Sequence, residues 1–485
     1  MDIISQYNKH RSENQSLIKK ALSSATGVGE ALIPEHLEQV ITNALPRLSP
    51  VVAMMTAKFD SQKQHSFNRM TALPAIGGAM GESAITPVTN PLFARASVDL
   101  KVVRRKGATT NFLKDSSKKN IDAAAANIEA CLLQHVYDLE NYTMFGNATA
   151  NAYEYSGWDH FISTNRSSKA IGGTVPTSLA ELDDLIDNNL ARQGEAHKKA
   201  FIMSPYMLSK FSQLLTNVRL NQGLQGQISQ VDVGGGWRLN AYRDIPIIVS
   251  SNCRPGATMG AVVHTDGQDA VTPASIPDST QRFFRVAAIN RDGETIATAE
   301  SNDTTGAIGL NDNWLQLDWA AVTDAYKFKI YVGTVSGTLT LKAIVPGFTY
   351  DGNGTVTGTT TSNLDGSATI GTYTSDANGN VTTVRFNRDP NTALSSVTTA
   401  MQTDTPLVQT GGVSPEYLWF IDLDEFQGLG RLPYTNEGGS RFGGLVTIRD
   451  LAETDDFLPF LIKSYCAVAD SFEATSTLIR GLRVA

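Results

Sequence analysis

Cysteine is scarce: Cys131, Cys253 and Cys466 are the only three in 485 residues. Their odd number, wide separation and lack of CxxC spacing exclude a disulfide framework or a cysteine zinc site, and point to a reducing compartment. Long hydrophobic runs are missing too. No stretch of about 18 apolar residues occurs, and the opening MDIISQYNKHR is polar, so neither a membrane span nor a signal peptide is expected. Positive charge is not in excess, with 40 basic against 48 acidic residues and a net charge of -8, which gives no electrostatic footprint for binding nucleic acid. The motifs of common catalysts are also lacking: there is no Walker-type phosphate loop, no HExxH and no GxSxG. Gly234–Gly236 lacks the context of a dinucleotide site, and the seven histidines stand singly. No catalytic residue, cofactor or metal is therefore expected, and the chain reads as a non-enzyme. What remains is an ordinary globular composition, 41% hydrophobic and 18% charged, in a chain long enough for two or three domains.

The longest helical pattern runs from Asp115 to Gly146. At helical spacing it places Ile121, Ala125, Ile128, Leu132, Val136 and Leu139 on one side, with Ser116 and Ser117 at its start and Gly146 at its stop. Such a rod is roughly 45 Å long, and its alanine-rich stripe suits a close-packed sheet. It reads as a spine. His135, between Leu132 and Val136, reads as a hydrogen-bonded structural histidine.

Ahead of the spine, residues 1–30 form a polar arm, and LIPEHLEQVI within residues 31–57 forms a short amphipathic helix opened by Pro34. Residues 58–114 change character. Gln64 to Thr71 and a return arm enclose a glycine-bearing tip, and the return arm places Ala94, Ala96, Val98, Leu100 and Val102 on one face. A two-stranded ribbon of this length is not stable alone in water, so another subunit is expected beneath it. Arg95, Lys101, Arg104, Arg105 and Lys106 are its candidate intersubunit contacts.

After the spine, Ser178 and Glu181 form a capping box before a helix carrying Leu182, Leu185 and Ile186. A strand at Lys199 to Met203, a helix opened by Pro205, and a strand at Ile245 to Ser250 follow. Near the end come YLWFIDLDEF, LVTIRDL and FLIKSYCAVAD. This order of arm, short helix, ribbon, spine closing on MFGNATA and GWDHF, and the two later runs resembles the major capsid protein of tailed bacteriophages, the Hong Kong ninety-seven type shell fold. The likeness covers roughly 330 residues as an ordered series of weak signals.

Residues 268–411 interrupt that series. Threonine, serine, glycine and asparagine dominate there, and RFFRVAAINRDGE, WLQLDW and YKFKIYVGT are short alternating strands at sandwich spacing. The segment resembles a fibronectin type III or immunoglobulin-like module, with Trp319 and Tyr326 as core aromatics and a hairpin turning at Asn378 and Gly379. Asp376, Asn378 and Asn380 lack the spacing of an EF hand and read as a polar turn. Asp422, Asp424 and Glu425 read as a solvated or intersubunit acidic edge.

The resemblance implies an α+β phage capsid fold: arm, extended ribbon loop, peripheral domain (115–177), first part of an axial domain (178–267), an inserted all-β sandwich (268–411) and a return through residues 412–485. It implies a structural protein of the virion, assembled in the host cytoplasm as pentamers and hexamers that close into an icosahedral shell around double-stranded DNA, bound without sequence specificity. Its partners would be copies of itself, a separate scaffolding protein, a portal and a decoration protein, with no membrane. The insert would decorate or brace the outside, and host-surface glycan binding is its rival role. An encapsulin-like bacterial shell is the alternative for the whole chain.

Overall fold

Lys199–Met203 is buried along its whole length, and a seven-stranded sheet forms around it. Across that sheet the order is Arg166–Ser168, Thr477–Arg483, Pro415–Asp422, Lys199–Met203, Ile245–Val249, Arg238–Tyr242 and Ile228–Asp232. The computed structural model describes residues 51, 55, 57–59, 64–74, 90–117, 123–190, 199–222, 228–232, 238–243, 245–268, 276, 281–304, 313–322, 324–351, 354–423, 426–430, 446–451, 457–470 and 475–483. The expected arm and LIPEHLEQVI helix lie outside them.

Both faces of the central strands are covered, as their continuous apolar runs require. On one side the helices Ala180–Leu190 and Pro205–Gln222 set Leu182, Ile186, Met207 and Phe211 against Phe201, Leu418 and Phe420. Ser204 starts the second helix by accepting the Met207 N–H at 3.0 Å, and Pro205 occupies the first turn, where no donor is missed. On the other side Phe145 and Trp158 pack on Tyr417 and Trp419.

Phe145 ends the spine helix, Ala123–Phe145, which a separate helix at Asn111–Ser117 precedes. Ile128 and Leu132 meet Ile448, Phe460 and Ile462 of a second sheet, and Leu139 enters the central core. Ala125, expected on this stripe, is exposed, and Ile121 lies outside the described residues. The last third of the helix is buried on nearly every side and is largely polar, with Asp138, Glu140 and Asn141 inside.

The second sheet is built on Phe457–Asp470, with Lys101–Thr110 along one edge and Val446–Asp450 and Phe426–Gly430 along the other. Gly107 sits opposite Phe460, where an added Cβ would lie 2.3 Å from the ring, so only glycine fits this position. The ribbon leaves from the same edge: Gln64–Ala72 pairs antiparallel with Leu92–Asp99 and with no third strand among the described residues. The expected alternation holds from Ala96 to Leu100, but Ala94 and Val102 are exposed and Val103 is half-buried. Leu100 stands between two strands, and the second takes its phase from the peripheral sheet rather than from the ribbon.

The sandwich pairs one five-stranded sheet (Val262–Gln268, Asn313–Trp319, Val381–Phe386, Gly371–Ser375, Thr361–Asn363) with a second built on Gln281–Asn290, Lys327–Gly333 and Thr340–Pro346. Phe284, Val286, Leu317, Trp319, Phe328 and Val384 fill the space between them. The first strand, Val262–Gln268, pairs along its whole length with Asn313–Trp319, so a boundary at Gln268 falls at the end of a sandwich strand rather than before it. Trp319 is a core residue, its indole N–H donating to Val381 O at 3.0 Å. Tyr326 is not. Its ring points out of the sandwich onto Tyr142 of the spine, with centroids 5.3 Å apart.

Candidate assembly surfaces

Lys327–Gly333 is buried at every position, although Lys327, Lys329 and Tyr331 alternate with its core residues. These three face the frame. Lys329 Nζ donates to Asp159 Oδ2 and to Glu294 Oε2, each at 2.8 Å, and Tyr331 OH donates to Glu294 Oε1 at 2.6 Å. Arg480, from the frame's Thr477–Arg483 strand, reaches Glu294 at 2.9 Å and Asp404 at 2.8 Å. Arg166 holds Asp159 at 2.7 Å and Asp404 through its Nε at 2.6 Å. Tyr417 OH also bonds Glu294. Three cations thus meet three carboxylates, all buried. Burial opposes ionisation of Glu294, yet Arg480 and Lys329 hold its carboxyl below the usual range; for Asp159, Arg166 and Lys329 likewise outweigh burial. Asp159, Arg166, Tyr417 and Arg480 belong to the frame; Glu294, Lys329, Tyr331 and Asp404 come with the inserted segment.

Around this centre, a further ion pair and neutral hydrogen bonds extend the seam. Lys327 Nζ donates to Phe145 O at 2.7 Å and Glu154 Oε2 at 2.5 Å. Asn141 donates to Asn290 O at 2.7 Å and Asn147 to Ser396 O at 2.8 Å. The sandwich is therefore seated against the spine over a buried polar surface, beyond what an ornament on two linkers would show. Those linkers meet as well. Arg254, just after the Ser251–Cys253 turn on the outgoing side, stacks 3.7 Å over Tyr206 and lies 3.8 Å from Glu416 on the returning strand. Burial pushes the Glu416 carboxyl up to about 7, although Ser204 and Arg254 pull the other way.

The five basic residues singled out in the sequence divide. Lys101 donates to Ala152 O at 2.9 Å, and Arg105 pairs with Asp138 at 2.7 Å, so both make contacts within the chain. The strand's phase turns them inward, whereas Arg104 and Lys106 are exposed and Arg95 lies exposed on the ribbon. The ribbon's far end carries Met70, Leu73, Leu92 and Phe93 at 55–72% exposure, a cluster of large apolar groups in water. None of the seam residues except Tyr326 carried a signal in the sequence.

Other candidates prove structural. Asp422 is buried, 3.7 Å from Lys199 Nζ, while Asp424 and Glu425 lie outside the described residues. Asp376 Oδ1 accepts the N–H groups of Asn378 and Asn380, each at 2.9 Å, and so closes the hairpin turn whose Gly379 has φ of 85°. His135 is fully buried, its Nε2 2.8 Å from Ser464 Oγ. Burial holds the imidazole down at about 4 against the pull of Asp138, from an ordinary value of 6.5. Between those values the unfolded chain binds a proton that the folded chain refuses, so stability falls as pH drops through the window, by about 3 kcal/mol when complete. His135→Gln should flatten that part of the stability profile, read as urea midpoints at several pH values; an unchanged slope would place the acid sensitivity elsewhere.

No family model matches the sequence, and no curated protein sequence matches it. Among solved structures, the chain is similar to the capsid subunit of cyanophage A-1(L) at 10% identity, covering 93% of this chain and 98% of that one, with a TM-score of 0.45. The capsid of a native GTA particle aligns at 9% identity over 95% of this chain and 100% of that one, with a TM-score of 0.43. The SrpI encapsulin of Synechococcus elongatus aligns at 10% identity over 92% and 93%, with a TM-score of 0.39.

Proposed function

We propose that this chain is a shell-forming structural subunit, the major capsid protein of a tailed bacteriophage, assembling as pentamers and hexamers around double-stranded DNA. The observation that carries the reading is the ribbon of Gln64–Ala72 and Leu92–Asp99, two strands that bear exposed apolar side chains and have no third strand among the described residues. A hairpin of this kind is marginal in water and gains its stability from a surface it lies on. Arg95 on the ribbon and Lys101, Arg104, Arg105 and Lys106 on the adjoining strand are the candidate intersubunit contacts, Arg95, Arg104 and Lys106 being the exposed ones. A repeated heterologous contact of this type closes rings, and a subunit held by several neighbours is retained even when single contacts are weak. A scaffolding protein, a portal and a decoration protein are the further partners of this reading, and the sandwich acts as a brace seated in the frame.

The test is negative-stain microscopy of the full chain expressed alone and with a co-encoded scaffolding protein. Closed icosahedral particles are expected. A uniform monomer under both conditions would overturn the reading, and particles that enclose a protein cargo without DNA when recovered from the native source would favour the encapsulin-like alternative.

A further inference from the structure

A cleft of about 570 Å³ opens where the Lys101–Thr110 strand, the spine and the sandwich meet, a size ordinary for a small-molecule site. Its walls mix rings with charges. Tyr142 of the spine and Tyr326 of the sandwich stand with ring centroids 5.3 Å apart at an angle of 66°, and Tyr153 of the frame and Tyr350 of the sandwich stand at 5.3 Å and 52°. Rings tilted this steeply offer no flat shelf for a sugar; they wall in a compact group. Tyr153 is 44% exposed, and its hydroxyl donates to Asp351 O at 2.9 Å, which fixes the ring at the opening.

The charges fall into two groups. Arg105 pairs with Asp138 at 2.7 Å, and Gln134, at 2.9 Å, and Tyr326 donate to the other oxygen of that carboxylate; Glu154 takes Lys327 at 2.5 Å. Arg104 and Asp324, both exposed, line the same cleft and make no ion pair among the described residues. The cleft thus presents one cation from the frame and one carboxylate from the insert beside aromatic walls, while its other carboxylates are already engaged. A primary ammonium has three N–H donors and would leave some of them unmatched against such walls. A quaternary ammonium has none, and ring faces with a nearby carboxylate are what attracts it. Arg104, with its planar fork of donors, suits a phosphate.

We propose that the cleft binds the phosphocholine group, with its ammonium among the tyrosine rings beside Asp324 and its phosphate on Arg104. The site goes beyond the shell reading and stands without it, since one subunit supplies every residue. Asp324, Tyr326 and Tyr350 come from the insert, so the site exists only where the sandwich is seated on the spine.

Arg104 is also a candidate contact to a neighbour, so the experiment uses unassembled full-length subunits, titrated calorimetrically with phosphocholine. Saturable binding is expected, with phosphoethanolamine about tenfold weaker because its ammonium keeps its N–H groups. Arg104→Gln should weaken phosphocholine about tenfold and leave choline as it was, whereas Asp324→Asn should weaken both. Both residues are exposed, so an unchanged thermal midpoint should accompany each substitution. Phosphoethanolamine or inorganic phosphate bound as tightly as phosphocholine overturns the assignment, as does either substitution without effect on phosphocholine, or no binding at about 10 mM. Co-sedimentation of the subunits with phosphatidylcholine vesicles, competed by free phosphocholine, assigns a lipid headgroup as the source. Subunits that bind free phosphocholine but stay off the vesicles assign a soluble or polymer-linked one, and the site stands either way.

Discussion

Glu294→Leu is expected to destabilise the isolated subunit by about 3–5 kcal/mol, the scale for removing one partner of a buried ionic group. Glu294 is the point at which Lys329, Arg480, Tyr331 and Tyr417 converge. Leucine would leave Lys329 sharing Asp159 with Arg166, and Arg480 with Asp404 alone, inside a surface that water does not reach. The loss would come from the uncompensated cations rather than from the value of the original pairs, since a fully apolar replacement of a buried network is often neutral. Urea denaturation of unassembled subunits measures it. A loss below about 1 kcal/mol would mean that the seam is hydrated and behaves as a surface pair does.

Excision of residues 268–411, with a short bridge, is expected to leave the frame insoluble. The cut removes Glu294, Lys329, Tyr331 and Asp404 together and leaves Asp159, Arg166 and Arg480 in the remaining chain. It also leaves residues 262–267 as an orphan edge strand, because the partner at Asn313–Trp319 is gone. The outward-decoration expectation implies the opposite result, a frame indifferent to the loss. Adding Asp159→Asn, Arg166→Met and Arg480→Met to the excised chain should recover part of the soluble yield. A soluble frame with a cooperative thermal transition after excision alone would show that the seam is dispensable.

The difference between those expectations marks how far the sequence could be read. Strands such as Lys199–Met203 and Pro415–Asp422, and the start of the helix at Pro205, were legible because apolar runs and proline placement act locally. The sandwich was legible from alternation, and so was its hairpin at Asn378 and Gly379. Alternation says which residues differ from their neighbours, however, and not what lies opposite the polar ones. In YKFKIYVGT the lysines look like a solvent face, and they are the buried side of a second interface. Asp159, Arg166, Glu294, Asp404 and Arg480 are spread over most of the chain, so no local window contains their relation. Tyr326 was misplaced for the same reason: it occupies a phase shared with Phe328, but stands just before the strand begins and turns onto the spine. Alternation within Lys101–Thr110 turns Lys101 and Arg105 inward and Arg104 and Lys106 outward, in a phase that the preceding strand does not set.

The position of Arg480 along the chain has a consequence for synthesis. Asp159, Arg166, Glu294, Lys329, Asp404 and Tyr417 all leave the ribosome before it, and the sandwich core closes without it. The sandwich is thus able to fold early, while its seating on the frame waits for the Thr477–Arg483 strand. A chain that terminates early carries Glu294 and Asp404 short of a cation, and its sandwich stays loosely seated. Chains interrupted between Tyr417 and Arg480 would then lack a buried cation of the seam, a check on completeness carried by one arginine.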